Sequence, residues 1–351
     1  MELKPVELGI CRNSRLCFDT LSASNKHMLL LGKPGSGKSV QTQKIMLELC
    51  RQKKTVLLFD IHSVAAEEQI FPGYRAEFMQ HVHEVDVYES GICCNLFQPA
   101  VFPDGGKEKQ VDTVNAIVSV LSSARRFGVM QQSALRAAVT SVAESGRYET
   151  DGFMAVDAAL AEAGTVYSET VKEKLYNLTA HNVFRAGQFF ISPGKINIIR
   201  LSKFDMQSQV VITEVLLSYL WRMAAVSGFS RDGLFIVLDE CQNFISGERC
   251  MVNQILSEGR KFSLNLILAT QGLGLKKQAA MSQKIMQSGL VLFFQPDMSQ
   301  VRAQAKLIDM ESAQEWATVL QRLKPGEFVA LGSLSLGGIT ARKPLKASNR
   351  L

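Results

Sequence analysis

Residues 27–39 read HMLLLGKPGSGKS, an apolar run followed at once by three glycines, a proline and two lysines. The spacing Gly32-x4-Gly37-Lys38-Ser39 is that of a phosphate-binding P-loop. Glycines let the backbone curl until successive N–H groups face a phosphate oxygen. The loop then opens a helix, whose first amides are unpaired and favour an anion. Met28–Leu31 has the length and apolarity of a buried parallel strand, and SVQTQKIMLELCRQ (39–52) has helical spacing at Val40, Ile45, Met46 and Leu49. Gly32, Lys33, Pro34, Gly35, Ser36, Gly37, Lys38, Ser39 and Val40 are therefore the expected nucleotide-binding residues. Lys38 reaches the β- and γ-phosphates in this reading, and the Ser39 hydroxyl is a ligand of Mg²⁺.

A second stretch supplies acids. LFIVLDECQNF (234–244) is an apolar strand ending in Asp239 and Glu240. Asp239 is expected to hold Mg²⁺ beside Ser39, the role of a Walker B acid. Glu240 faces the other way at the strand end, where a carboxylate polarises water for in-line attack on the γ-phosphate. Adjacent acids in this place point to hydrolysis rather than transfer to a metabolite. LNLILATQ (264–271) then ends in Gln271, whose amide suits a γ-phosphate sensor; a surface glutamine opening a loop is the alternative. The expected reactants are ATP and Mg²⁺. A guanine-specific element would need Asn or Thr before Lys-x-Asp, and SKFD (202–205) begins with Ser and lies upstream of Asp239.

The chain has 351 residues, 46% hydrophobic and 21% charged, with 39 basic against 33 acidic residues. That composition suits a globular fold with ample core. Its charge of +6 is compatible with nucleic acid without arguing for it. Seven cysteines without a CxxC pair fit neither a zinc site nor a disulfide framework. His81 and His83 have strand-like alternation, which fits a half-exposed strand better than a metal site lacking a third ligand. Cys93 and Cys94 read as buried. MELKPVELGICRNSRL carries no apolar leader, and VVITEVLLSYLWRMAAV (210–226), interrupted by Glu214 and Arg222, reads as a buried helix too short to span a bilayer.

HMLLLG (27–32), TVLLFDI (55–61), LFIVLDE (234–240) and LNLILATQ (264–271) read as buried parallel strands, with VLFF (291–294) and EFVALG (327–332) as a fifth and sixth strand. Intervening helices give the rhythm of a doubly wound α/β sheet. Gly32, Asp60, Asp239 and Gln271 all fall at strand carboxyl ends, where such sheets bind ligands. Residues 106–190 carry no convincing strand. They hold three apolar stripes: Val111, Val114, Ile117, Val118 and Leu121; Leu135, Ala138, Val139 and Val142; and Val171, Leu175 and Leu178. The expected organisation is a lead-in hairpin (1–26), a first core segment (27–105), a helical insertion (106–192), a second core segment (193–341) and a mobile basic tail (342–351). Arg125–Arg126, Lys276–Lys277 and the basic residues Arg342, Lys343 and Lys346 are either solvated or pore-lining.

Together these residues resemble the HerA/FtsK group of P-loop ATPases, which includes the ATPases of conjugation and type IV secretion. The resemblance runs through LGICRNSRLCFD (8–19), NKHMLLLGKPGSGKS (25–39), LLFDIHS (57–63), CNLFQP (94–99), INIIRLSKFD (196–205), LDECQNF (238–244), SEGRKFSLNLILATQ (257–271) and LKPGEFVALG (323–332). It implies a RecA-like fold and a ring-forming, usually homohexameric ATPase that moves a polymer, most often DNA. A secretion, conjugation or nuclease protein is the implied partner, and the implied place is the cytoplasm or the inner face of a membrane complex. An ATP-gated switch acting on protein is the alternative. In such rings a neighbour's arginine completes the site, and by matching position this is Arg260, with Lys261 in reserve. Pro34 stands where relatives carry a small hydroxyl residue. Substitution Lys38→Ala is expected to abolish nucleotide binding, measured by titration of a fluorescent ATP analogue.

Overall fold

The computed structural model describes residues 4–227, 233–245, 250–272, 286–341 and 343–349. Fifteen strands are seen among them. They are β1 (Val6–Cys11), β2 (Ser14–Phe18), β3 (Met28–Leu31), β4 (Thr55–Asp60), β5 (Val82–Asp86), β6 (Ile92–Cys93) and β7 (Phe184–Arg185). Then follow β8 (Ile196–Arg200), β9 (Leu234–Leu238), β10 (Leu264–Thr270), β11 (Leu290–Phe293), β12 (Glu327–Gly332), β13 (Leu334–Leu336), β14 (Ile339–Ala341) and β15 (Leu345–Ser348). All but β6 and β7 form one sheet of order β14-β13-β2-β1-β15-β12-β11-β3-β10-β9-β4-β8-β5.

From β11 to β5 every pairing is parallel. Every residue of β3, β9, β10 and β11 is buried, as expected of central strands covered on both faces. Side chains alternate between the faces. Leu29 and Leu31 join one apolar cluster while Met28 and Leu30 join the other. The second cluster is covered by α1 (Lys38–Arg51) through Ile45, Met46 and Leu49, and by α2 (Pro72–Gln80) through Phe78.

Two further segments run differently from expectation. EFVALG is antiparallel to β11, and β15 pairs antiparallel with both β12 and β1. Thus Leu345–Ser348, expected in a mobile tail, is an internal strand of the sheet. The hairpin β1–β2 continues this antiparallel wing through β13 and β14. Arg342, Arg350 and Leu351, and Lys276–Lys277, lie outside the described residues.

The first cluster is covered by α4 (Gln110–Arg125), α5 (Val129–Ser145), α7 (Met154–Ala163) and α8 (Val166–Ala180), with the short α3 (Val87–Ser90) and α6 (Tyr148–Asp151) beside them. Their apolar residues, among them Val118, Leu121, Leu135, Val139 and Leu175, share one continuous core with the sheet face. Val111 departs from its expected stripe and is 58% exposed at the first turn of α4. A strand also occurs where none was expected: Phe184–Arg185 pairs parallel with Ile92–Cys93. In that pairing Ile92 and Cys94 turn inward and Cys93 outward, so only one of the two cysteines is buried.

The helix α9 (Met206–Ser227) is longer than the sequence window suggested, and by length and composition it would cross a membrane. Packing decides otherwise: 67% of its most apolar window is buried inside the fold, largely against α4. Glu214 sits within it at 4% exposure. One of its oxygens accepts the Met251 N–H (3.0 Å), capping α10 (Met251–Glu258). Burial pushes its pKa up from 4.5 to about 7. Between those values the native state holds a proton that the unfolded chain has lost, so stability falls as pH rises through the window. Glu214→Gln keeps the acceptor and removes the charge. It is expected to flatten this dependence and to raise stability at pH 8 by on the order of 3 kcal/mol, measured by urea denaturation at pH 5 and pH 8.

Candidate active site

The strand registers bring the motif residues to one rim. Leu31 of β3 lies opposite Thr270 of β10 and Phe293 of β11, so Gly32 leaves the sheet between these two strands. Leu238 pairs with Leu268 and with Phe59, which puts Asp239 level with Asp60 and just below Gln271. The strand carrying Gln271 stands between those carrying the loop and the acids.

The loop is held by its neighbours. Gly32 N–H donates to the Thr270 carbonyl (3.2 Å) and Lys33 N–H to the Gln295 carbonyl (2.9 Å). Gly326, in the turn before β12, donates to the Ser36 carbonyl (2.9 Å). Gly37 has φ +103, and a Cβ there would lie 2.7 Å from the Gly326 nitrogen. A Cβ on Gly32 would lie 2.6 Å from the Phe294 Cβ. Pro34 and Gly35 are exposed at the crown of the loop. The Ser36 hydroxyl is buried with no partner among the described residues.

Lys38 is 7% exposed and curls over the loop, its Nζ donating to the Gly32 (2.6 Å) and Lys33 (3.1 Å) carbonyls. Burial lowers its pKa, and the carboxylates of Glu240, Asp239 and Asp297 oppose that shift. Asp239 is held above the usual carboxylate range by burial and then by Glu240, against the pull of the Glu240 N–H, Lys38 and His62. Ser39, exposed at the start of α1, lines one crevice with Asp239, Thr42 and Gln43. A hydroxyl and a carboxylate are the hard oxygen donors that Mg²⁺ takes.

Glu240 adopts a left-handed backbone conformation, φ 48 and ψ 47, which costs about 1–3 kcal/mol for a residue with a side chain. Its carboxylate accepts from two carboxamides, Gln271 Nε2 at 3.0 Å and Gln242 Nε2. The Gln242 oxygen in turn accepts from the Thr270 hydroxyl. Glu240, Gln242, Thr270 and Gln271 therefore form one network across the ends of β9 and β10.

Gln242, Asp297, Gln295 and Gly326 went unread in the sequence. The sequence signal for Gln242 is its position two residues beyond Glu240. The other three depend on which strand lies beside β3. Asp60 is fully buried and accepts from Val64 N–H (2.9 Å) and from Arg200 Nη1 (3.0 Å), while Arg200 also grips Glu84. It shapes the loop that carries His62 toward Asp239.

Arg260 is elsewhere. It is exposed beyond the amino-terminal end of β10, beside Ser24, Asn25 and His27. Seven strand residues separate that edge from the rim, roughly 20 Å. Lys261 pairs with Glu258 at 3.5 Å. No group of three or more metal-ligating His, Cys, Asp or Glu side chains occurs among the described residues, and His83 lies in the half-buried edge strand β5 against Phe190.

Residues 6–67 match the family model of the central domain of the helicase HerA. Among solved structures the chain is similar to VirB4 of Thermoanaerobacter pseudethanolicus, with 16% identity, a TM-score of 0.71, and coverage of 100% of this chain and 97% of that one. The bacterial conjugative coupling protein TrwB, as its ΔN70 form, aligns at 12% identity with a TM-score of 0.64 over 100% of this chain and 89% of that one. TrwB in complex with the ATP analogue ADPNP aligns with the same identity and TM-score. No curated protein matches the chain in sequence. The fold is the RecA-like α/β fold of these structures.

Because a side chain at position 37 meets the backbone of Gly326, Gly37→Ala is expected to destabilise the fold by about 1–3 kcal/mol, read as a lower midpoint in thermal denaturation.

Proposed function

We propose that this chain is an ATP-hydrolysing motor subunit that works in a homohexameric ring and translocates DNA. The observation that carries the reading is the juxtaposition of a buried lysine and a P-loop with Asp239 and with a Glu240 carboxylate gripped by Gln242 and Gln271. The unpartnered Ser36 hydroxyl and the glycine positions closed to a Cβ suit a backbone cradle for phosphate. TrwB, of like fold, has been solved with ADPNP and with ADP and Mg²⁺.

In this reading the loop amides and Lys38 bind the triphosphate. Lys38 gives up its contacts with the Gly32 and Lys33 carbonyls to do so. Ser39 and Asp239 would hold Mg²⁺, which would supply positive charge against the triphosphate. Glu240 orients water and accepts its proton, and Gln242 is a positioning residue that fixes its carboxylate. Gln271 leaves Glu240 for the γ-phosphate and so reports nucleotide state to β10. Arg260 is too far to serve its own site, and in this reading the resemblance assigns it to a neighbour's.

Three measurements test this. ATP turnover of the wild type is expected to rise severalfold with double-stranded DNA at low salt and to fall back as salt increases. Turnover indifferent to DNA would favour a switch acting on protein. Glu240→Gln should keep ATP binding while losing at least about 100-fold in kcat. Mixing Arg260→Ala with Glu240→Gln subunits should restore part of the activity; the absence of any rescue would remove Arg260 from the site.

A further inference from the structure

A second cavity lies on the other side of the sheet from α1, between α4, α9 and α10, with a volume of about 480 Å³. That is within the range of small-molecule sites, and its walls mix apolar and polar groups. One stripe of α9 supplies Glu214, Ser218, Trp221 and Arg222. Glu214 and Arg222 are eight residues apart, two helical turns or about 12 Å along the axis.

Both charged side chains are more than nine-tenths buried and incompletely satisfied. Arg222 is 8% exposed; its Nη2 donates to the Leu96 and Gln98 carbonyls (2.9 Å each) and its Nε lies 3.7 Å from Glu108. Its Nη1 has no hydrogen-bond partner among the described residues. Glu214 has one oxygen on the Met251 N–H and the other without a partner. Ser122 also lines the cavity, and its hydroxyl is likewise buried and unpartnered among the described residues. Helices α4 and α9 run antiparallel, with Arg125 bonded to Gln207 at one end and Glu108 beside Arg222 at the other, so Ser122 falls at the Glu214 end. Buried polar atoms without partners cost about 1–3 kcal/mol each, and a ligand that pairs them recovers that energy.

We propose that this cavity binds a small zwitterion, its carboxylate on Arg222 and its ammonium on Glu214 and Ser122, with a chain between them spanning two helical turns. A guanidinium N–H pairs with a carboxylate, and a carboxylate oxygen with an ammonium, by charge-assisted hydrogen bonds. Neither the site nor its ligand depends on nucleotide chemistry, and Trp221 in the wall is a built-in reporter.

The chain has two tryptophans, so a Trp316→Phe background leaves Trp221 alone as a fluorophore. At pH 8, where Glu214 is ionised, the probes are glycine, γ-aminobutyrate, ε-aminocaproate and triglycine, with hexanoate and hexylamine as single-headed controls. Fluorescence titration is expected to find ε-aminocaproate and triglycine binding at least tenfold more tightly than glycine or either control. Glu214→Gln and Arg222→Lys should each weaken that binding at least tenfold. No response to any probe, equal binding of hexanoate, or unchanged binding in Glu214→Gln would overturn the assignment. The length series and Glu214→Gln decide the matter even where Arg222→Lys fails to fold.

Discussion

The constraint on which the rest depends is the shape of eight residues of backbone. Within the loop only the Ser36 N–H to the Lys33 carbonyl (3.3 Å) and the Lys38 ammonium on the Gly32 and Lys33 carbonyls tie the backbone to itself. The rest of its support comes from outside, from the Thr270 and Gln295 carbonyls on either side and Gly326 beneath. Gly326 is in turn tied to Asn349, whose N–H donates to its carbonyl (2.9 Å), so the last strand of the described chain supports the loop. The antiparallel wing is thus part of the site and not an ornament on a parallel core.

Around that loop the electrostatics are arranged by burial. Lys38 is a cation in a low-dielectric place, and three carboxylates offset its desolvation. Asp239 experiences the reverse, pushed toward neutrality by burial and by Glu240, and drawn back by Lys38 and His62. Glu240 is poised differently: its oxygens lie on amide donors and its backbone is in an unfavourable conformation. Strain of this kind persists where surroundings over-determine it, here through Gln242, Gln271 and Thr270. The Asp60–Arg200–Glu84 chain does the same for the next loop along the rim.

Much of this was legible in one dimension because the signals are local. A Gly-rich spacing, an apolar run ending in two acids and another ending in Gln271 are each contained in a dozen residues, and each lies at a strand end. The stripes of α5 and α8 were readable for the same reason. Less readable was whatever depends on distant partners. EFVALG has the composition of a parallel core strand and runs antiparallel; residues 345–348 look like a solvated tail and are an internal strand. EFVALG pairs with β11 and β15, and β15 in turn reaches β1, more than three hundred residues away at Ile10 opposite Ser348. The apolarity of α9 cannot separate a core helix from a membrane span, since both need the same side chains.

The amino-acid order by itself determined the chemistry available at the rim: the cradle, its lysine, and the carboxylates and amide that follow from strand ends. Tertiary structure alone decided which of these touch. It placed Gln271 and Gln242 on Glu240, set Asp297 and His62 within electrostatic reach of Lys38 and Asp239, and put Arg260 at the far edge of the sheet. It also opened the cavity beside Glu214 and Arg222. The physical reason is that period and propensity act over a few residues, whereas strand order and register are settled by burial of the whole sheet at once.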